Sequence, residues 1–239
     1  MLYKSPAIVL SKMNYSESGM IVRLYTKKFG LLSILQKGIR TSKGKKASLF
    51  QPLSILEIVI SLNEKKDLHF TREISLRYNL HNLHYDVVKT SLAFFISELI
   101  SKSIHEREEN SLLYDFLEKS ILFLDETSES VSNFHLVFML KYASMLGFGI
   151  ENPRNKIDKY FDMQKGVFSQ IPTHSQFLNL ESSGILMQII DKNYLTMNNV
   201  FMSNKQRNET IDFLIEFYYL HIEGIRQLKS KEVLKMLFE

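Results

Sequence analysis

Cysteine is absent from the 239 residues of this chain. Its absence excludes a disulfide framework and a thiolate zinc site, and it permits a reducing compartment. Long apolar runs are missing too. Near the N-terminus only Ala7-Ile8-Val9-Leu10 qualifies, much shorter than a signal-peptide core, and no segment approaches the roughly 20 apolar residues of a membrane span. The expectation is a protein of the cytoplasm with no membrane partner. Internal repeats and low-complexity tracts are lacking. So is any cluster of carboxylates or metal-ligand spacing of the kind that catalysis on nucleic acid requires, so neither an enzyme nor a bound metal or cofactor is expected.

One local absence is more informative. Between Gly30 and Leu56 there is no acidic residue, yet the loop within Ile34 to Pro52 carries Lys37, Arg40, Lys43, Lys45 and Lys46. An uncompensated field of this kind attracts a polyanion before any contact is made. A solvated turn without a nucleic-acid role has the same composition, so the loop alone leaves two readings open. The charge balance along the chain adds to it: residues 1–80 hold 14 basic against 5 acidic side chains, whereas residues 81–239 hold 16 against 21. A basic N-terminal part and an acidic remainder imply different partners.

At 45% hydrophobic and 23% charged residues, the chain can bury a sizeable core in one large domain or two smaller ones. Ala7 to Lys12, Met20 to Thr26, Leu31 to Gln36, Ser54 to Ser61 and Leu68 to Glu73 read as strands separated by turn chemistry. Ile58, Ile60 and Leu62 alternate with Glu57, Val59 and Ser61, the period of a strand with one buried face. Five short strands with long charged loops describe an OB-fold barrel over residues 1–80, although other small barrels share that periodicity.

Helical spacing takes over after about Tyr78, in Val88 to Ile100 and Leu113 to Leu124. Phe134 to Leu146 is apolar nearly all round and predicts a helix in the middle of a bundle, stopped by Gly147. Tyr160 to Asp162 and Val167-Phe168, around Gly166, predict a hairpin inserted at 151–180. Ser182 or Ser183 is the expected cap of the next helix and Asn204 that of the longest one, and Ser230 begins the last. The expected class is therefore α+β: a barrel, then a helical domain over 81–239 with a cysteine-free insert.

Apparent motifs fail on inspection. Gly38 to Lys45 has five residues between its glycines where the phosphate-binding loop has four, and Lys46 replaces the hydroxyl residue. Gly147-Phe148-Gly149 follows a helix, and Asn152 stands where the dinucleotide fingerprint needs glycine. His81 and His84 lack a third ligand nearby other than Asp86, so they read as surface histidines at a domain boundary. His135 and His221 lie in apolar helices and read as core-edge residues.

Ala7-Ile8-Val9-Leu10, Tyr15-Ser16-Glu17-Ser18, Ile21-Val22-x-Leu24-x-Thr26, Phe29-Gly30, Lys37-Gly38-x-Arg40 and Leu49-x-Gln51-Pro52, with Leu146-Gly147-Phe148 and Leu228-Lys229-Ser230-Lys231-Glu232, resemble in order and spacing the bacterial DNA repair and recombination mediator family RecO. The resemblance spans the chain and is most specific over residues 7–60. It implies an N-terminal OB-fold and a C-terminal helical domain without a catalytic site. It also implies binding of single- and double-stranded DNA, annealing of complementary strands, and work at the nucleoid with RecR and single-strand-binding protein to help load RecA. Many relatives carry a four-cysteine zinc motif in the insert. Glu151 to Leu180 has no cysteine, so this hairpin must hold by its own packing.

The expected phosphate contacts are Lys37, Arg40, Lys43, Lys45 and Lys46, with Arg23, Lys27, Lys28 and Arg72 as secondary candidates. Tyr25 stacks a base if its ring faces outward and is a barrel-core residue if it does not. Single-strand-binding proteins generally end in an acidic tail with an apolar tip. For that tail the sequence offers Phe138, Tyr142 and Met145 beside Lys141, Arg154, Lys156 and Lys159. The competing reading is a helical adaptor whose basic loop only solvates.

Overall fold

The structure, a computed structural model, describes residues 2–15, 17, 19–37, 47–62, 67–225 and 227–237. Five strands, β1 (Leu2–Asn14), β2 (Met20–Thr26), β3 (Gly30–Gln36), β4 (Ile55–Ser61) and β5 (Leu68–Leu76), form a closed barrel in the order β1-β2-β3-β5-β4. β1 closes it alone. Its first half pairs with β4 and its second half with β2, and a register shift between Val9 and Ser11 lets one strand serve both partners. β3 and β5 are the parallel pair, with Ser33 opposite Leu68 and Ile34 opposite His69.

The alternation read in the sequence decides what the barrel encloses. Val22, Leu24, Leu32, Ile34, Leu56, Ile58 and Ile60 point inward and form one cluster with Val9 and Phe50. Each fully buried aliphatic side chain there is worth about 1.5–3 kcal/mol. This is the expected α+β class and an OB-fold barrel.

Among the described residues six helices follow: α1 (Val87–Ser103), α2 (Ser111–Glu126), α3 (Phe134–Met145), α4 (Leu180–Ile189), α5 (Asn204–His221) and α6 (Ser230–Leu237), with a hairpin of β6 (Tyr160–Asp162) and β7 (Val167–Ser169) between α3 and α4. By packing, the described chain divides differently from its change in secondary structure at residue 80. One compact unit is 1–127 with 228–234, and the other is 128–227 with 235–239. α1 and α2 thus fall in the same compact unit as the barrel.

In the first unit, the Asp125 carboxylate of α2 accepts the backbone N–H groups of His81, Asn82 and Leu83 at 3.2, 2.8 and 2.7 Å. This turn ties the barrel's exit to the helices and holds His84 Nε2 3.0 Å from the Pro52 carbonyl. Glu98 of α1 receives the N–H groups of Lys229 and Ser230 and the Ser230 hydroxyl at the start of α6. Burial alone would raise the Glu98 carboxyl, but the hydrogen bonds from Lys102, Ser230 and Lys229 outweigh it and hold it at about 2.

In the second unit, α3 is buried on nearly every side, as its composition requires. Phe134, Phe138 and Tyr142 stack at one-turn intervals, and Tyr142 continues onto Tyr218 of α5, whose hydroxyl donates to the Met139 carbonyl at 2.7 Å. Gly147, at φ +90°, ends α3 where an L side chain would be strained.

Two caps differ from expectation. Asn179 caps α4 through Ser182 N–H, because Ser183 is a buried helical residue whose hydroxyl accepts the Phe161 N–H. Ser203 caps α5 in a reciprocal pair with Gln206, and Asn204 is already helical. The insert is organised by Asp162, which accepts the N–H groups of Gln164 and Lys165 at 2.9 and 3.2 Å and faces His174 Nε2 at 3.3 Å. Phe161 packs on Phe168 and Phe217. A carboxylate and an aromatic cluster thus hold the hairpin.

Burial, then the charge of Arg207, lowers the His135 imidazole from its ordinary 6.5 to about 3. The unfolded chain therefore takes up a proton near pH 6.5 that the fold refuses until about pH 3. Stability is unaffected by this group above 6.5 and falls as the pH drops between the two values, by up to about 1.4 kcal/mol per unit. His135→Leu is expected to flatten that part of the stability profile in denaturant melts. For the insert, Asp162→Asn is expected to cost about 1–3 kcal/mol, while a chelator leaves the melting temperature unchanged and elemental analysis finds no stoichiometric zinc.

Candidate nucleic-acid interface

The inward set of β2, β3 and β5 fixes the outward set by alternation. On β2 the outward residues are Ile21, Arg23 and Tyr25, and on β3 they are Leu31, Ser33, Leu35 and, just past the strand end, Lys37. Arg23 lies opposite Ser33, Ile21 opposite Leu35 and Tyr25 opposite Leu31. On β5, Leu68 lies beside Ser33, and Phe70, two residues on, shares its face. A hydrogen bond between the Gln36 and Thr71 side chains carries the β3–β5 pairing to the strand end.

This face is covered at one end. The Tyr25 ring stacks on Tyr114 of α2 with centroids 6.4 Å apart, and the ring is 1% exposed. Leu31 N–H donates to the Glu106 carbonyl at 3.0 Å. Gly30, at φ +57°, lies so close beneath the 106–108 backbone that a Cβ would stand 2.6 Å from the Glu108 carbonyl oxygen and 2.7 Å from that of Glu106. Burial, then the charge of Glu106, pushes the Tyr25 phenol up to about 12. Tyr25 is therefore an outward residue roofed by helix, and it is not open to a base.

Beyond the roof the described residues of the same face are partly exposed, with Ile21, Ser33, Leu35 and Leu68 half-buried. Arg23 is half-buried, and burial followed by the neighbouring charge of Arg107 lowers its guanidinium from the ordinary value, although an arginine stays cationic throughout the working pH range. Arg107 pairs with Asp67. Lys37 is exposed, its Nζ 5.5 Å from the centroid of the Phe70 ring, which is 49% exposed.

The cations named from the sequence are divided by this geometry. Lys37 stands at the open end of β3, where the loop carrying Arg40, Lys43, Lys45 and Lys46 begins; those four lie outside the described residues. Arg23 is mid-strand, and Arg72 is exposed on β5. Lys27 and Lys28 occupy the β2–β3 turn at the other end, about 20 Å away along the strands. Lys27 is committed there, its Nζ 2.6 Å from Asp115 Oδ1. Phe70 was not among the residues singled out; its sequence signal is an aromatic in a strand that begins just after Lys65-Lys66.

The partner residues named on the helical part need correction. Phe138 and Tyr142 are 1% and 0% exposed, because they form the ring stack inside the second unit, so neither offers an apolar wall to a ligand. Met145 is exposed, Lys141 half-buried, and Lys156 and Lys159 exposed. Arg154 is exposed and pairs with Glu151 at 2.9 Å. Among the described residues no group of side chains is arranged to hold a metal ion, and no helix is long and apolar enough to cross a membrane.

A closed five-stranded barrel of this order, with helices after it, defines an OB-fold protein in architecture. The family model described as "Recombination protein O N terminal" matches residues 1–79, and that described as "Recombination protein O C terminal" matches residues 84–232. Over the full length of both chains, the sequence is 32% identical to DNA repair protein RecO of Azobacteroides pseudotrichonymphae, 35% to that of Phocaeicola vulgatus and 34% to that of Flavobacterium psychrophilum. The chain belongs to the recombination protein O family, a family of DNA repair and recombination proteins.

Because Tyr25 is roofed, Tyr25→Ala is expected to cost about 3–5 kcal/mol in chemical denaturation, the range for emptying a buried aromatic site. Tyr25→Phe should cost much less.

Proposed function

We propose that the protein is a non-catalytic mediator of recombination in DNA repair, binding single- and double-stranded DNA at the open end of the barrel and annealing complementary strands. The observation that carries this reading is the placement of exposed Lys37 and half-buried Arg23 on one barrel face, at the root of a stretch of sequence with four more cations and no acidic residue. Two strands that are to pair repel each other through their phosphates. A cationic surface displaces their condensed counterions and lowers that repulsion, and phosphate contacts leave the base edges free to find their complements. No bond is made or broken by the protein, so positioning and charge suffice.

The proposed partners are RecR, single-strand-binding protein and, through them, RecA at the nucleoid. For the acidic tail of single-strand-binding protein, Lys156, Lys159, Lys141 and Arg154 remain as carboxylate contacts beside exposed Met145, without Phe138 and Tyr142. Lys141→Glu, or combined loss of Arg154 and Lys156, should weaken tail-peptide binding in fluorescence anisotropy and leave DNA binding intact.

The test of the main reading is a salt titration. Each alanine substitution at Lys37, Arg40, Lys43, Lys45 or Lys46 is expected to flatten the slope of log affinity against log salt by up to about 0.9 for duplex DNA, with no change in sequence preference. Slopes that stay at the wild-type value throughout the series would favour the adaptor reading instead.

A further inference from the structure

We propose that the cleft between the second half of β1 and α1 binds an extended, acidic peptide segment of a partner protein, which adds to β1 as a strand and seats an apolar side chain against α1. The cleft lies within the first compact unit, and no residue of β2, β3 or β5 lines it. It stands or falls independently of the DNA-binding reading.

The strand edge is the first element of the site. β1 pairs with β4 from Leu2 to Ile8 and with β2 from Ala7 to Asn14. Val9 is the last residue served on the β4 side: its N–H donates to the Ser54 carbonyl at 2.9 Å and its carbonyl accepts the Leu53 N–H at 2.8 Å. Leu53 takes φ +62°, a left-handed conformation uncommon outside glycine, and the residues before it, Phe50 to Pro52, line the cleft instead of continuing the ladder. Tyr15 N–H turns to the Gly19 carbonyl on the β2 side, so by alternation the N–H and C=O groups of Lys12 and Asn14 turn away from β2. Among the described residues no strand pairs with them there. An unpaired edge is a template for one more strand.

Beside that edge the cleft encloses about 700 Å³, within the range of sites that hold a small ligand or a few side chains. Leu10, Phe50 and Pro52 line it from the barrel, and Phe94 lines it from α1 with 53% of its surface exposed, an apolar ring that gains by being covered. The carboxylate in the lining, Glu98, is already satisfied. It accepts the N–H groups of Lys229 and Ser230 and the Ser230 hydroxyl, and it pairs with Lys102 at 2.8 Å. Lys12 and Lys229 remain, both exposed and without an ion-pair partner among the described residues. The uncompensated charge at the cleft is therefore positive, which fits carboxylates flanking an apolar anchor. A second copy of this chain fits less well, since β1 laid against β1 brings Lys12 towards Lys12. Phosphates offer acceptors only and cannot satisfy the Lys12 and Asn14 carbonyls, whereas a peptide backbone presents donor and acceptor in register.

Selection of random dodecapeptides on the full chain, with counter-selection on Phe94→Glu, supplies the probe. Enriched peptides are expected to carry Asp or Glu around a large apolar residue and to lack proline in that core. With such a peptide labelled and read by fluorescence anisotropy, Lys12→Ala is expected to weaken binding at most about 5-fold, the worth of an exposed ion pair. Lys12→Pro removes the same charge and also the edge N–H, and is expected to weaken binding by a further ~5- to 100-fold, the cost of leaving a backbone partner unpaired. Proline is tolerated at a strand edge, so the melting temperature should stay near that of Lys12→Ala. If Lys12→Pro fails to fold, N-methylation of the peptide's core amides removes the same backbone bonds from the other side, with the same expected loss. A selection that enriches nothing over Phe94→Glu would overturn the proposal, as would peptides that bind Lys12→Pro and Lys12→Ala alike or that survive N-methylation. So would peptides lost with Lys141→Glu, which belong to the helical part, or peptides displaced by an oligo-dT strand that itself requires Phe94. A wild-type dimer in sedimentation that Lys12→Pro splits would also overturn it, by making the edge a contact between copies of the chain.

Discussion

The outer face of β2 and β3 has two claims on it, and Gly30 is where they are divided. The chain between α1 and α2 crosses the barrel there so closely that no side chain fits beneath the Glu106 and Glu108 carbonyls. A glycine at positive φ makes that approach possible. Once the link is down, Leu31 has a backbone partner in Glu106 and Tyr25 a stacking partner in Tyr114. The strand pair is then half core and half surface along its length. What the barrel can bind follows from where that division falls.

The same division explains why cations a few residues apart have different work. Lys27 lies under the roofed end and is neutralised by Asp115, so its contribution is the modest one of a partly exposed ion pair, about 0–1 kcal/mol. Lys37 is at the far end of the adjacent strand, over an exposed ring. The two lie on one hairpin, yet the seven-residue strands place them at opposite ends of the barrel. A charge count along the sequence treats them as one cluster, whereas the fold separates a paired lysine from an exposed one.

The helical part shows how a carboxylate and an aromatic cluster can shape an insert without cysteine. Asp162 is buried, but its carboxylate receives two backbone N–H groups and faces His174, so the cost of burying a charge is offset by charge-assisted hydrogen bonds. Phe161 on the preceding position packs into the aromatic core with Phe217. The hairpin is thereby pinned on both sides of its first strand.

The residue order by itself determined the strands, the helices and most of their ends, because periods of two and 3.6 report which face of an element is buried whatever it packs against. The alternation through Ile58 and Ile60, the all-round apolarity of Phe134 to Leu146 and the stop at Gly147 are of this kind. So was the family, through motifs spread over the whole barrel. Cap positions were read less well: Ser183 and Asn204 have capping chemistry, but which hydroxyl or amide sits at the helix end depends on what else claims it, and Phe161 N–H claims Ser183. Only the tertiary structure could decide that Tyr25 and Phe70, both outward on the barrel, have opposite fates, and that Phe138 and Tyr142 are ring stack instead of pocket. Exposure is a property of the second layer of packing, and periodicity within one strand or helix cannot say whether another element lies on top of it.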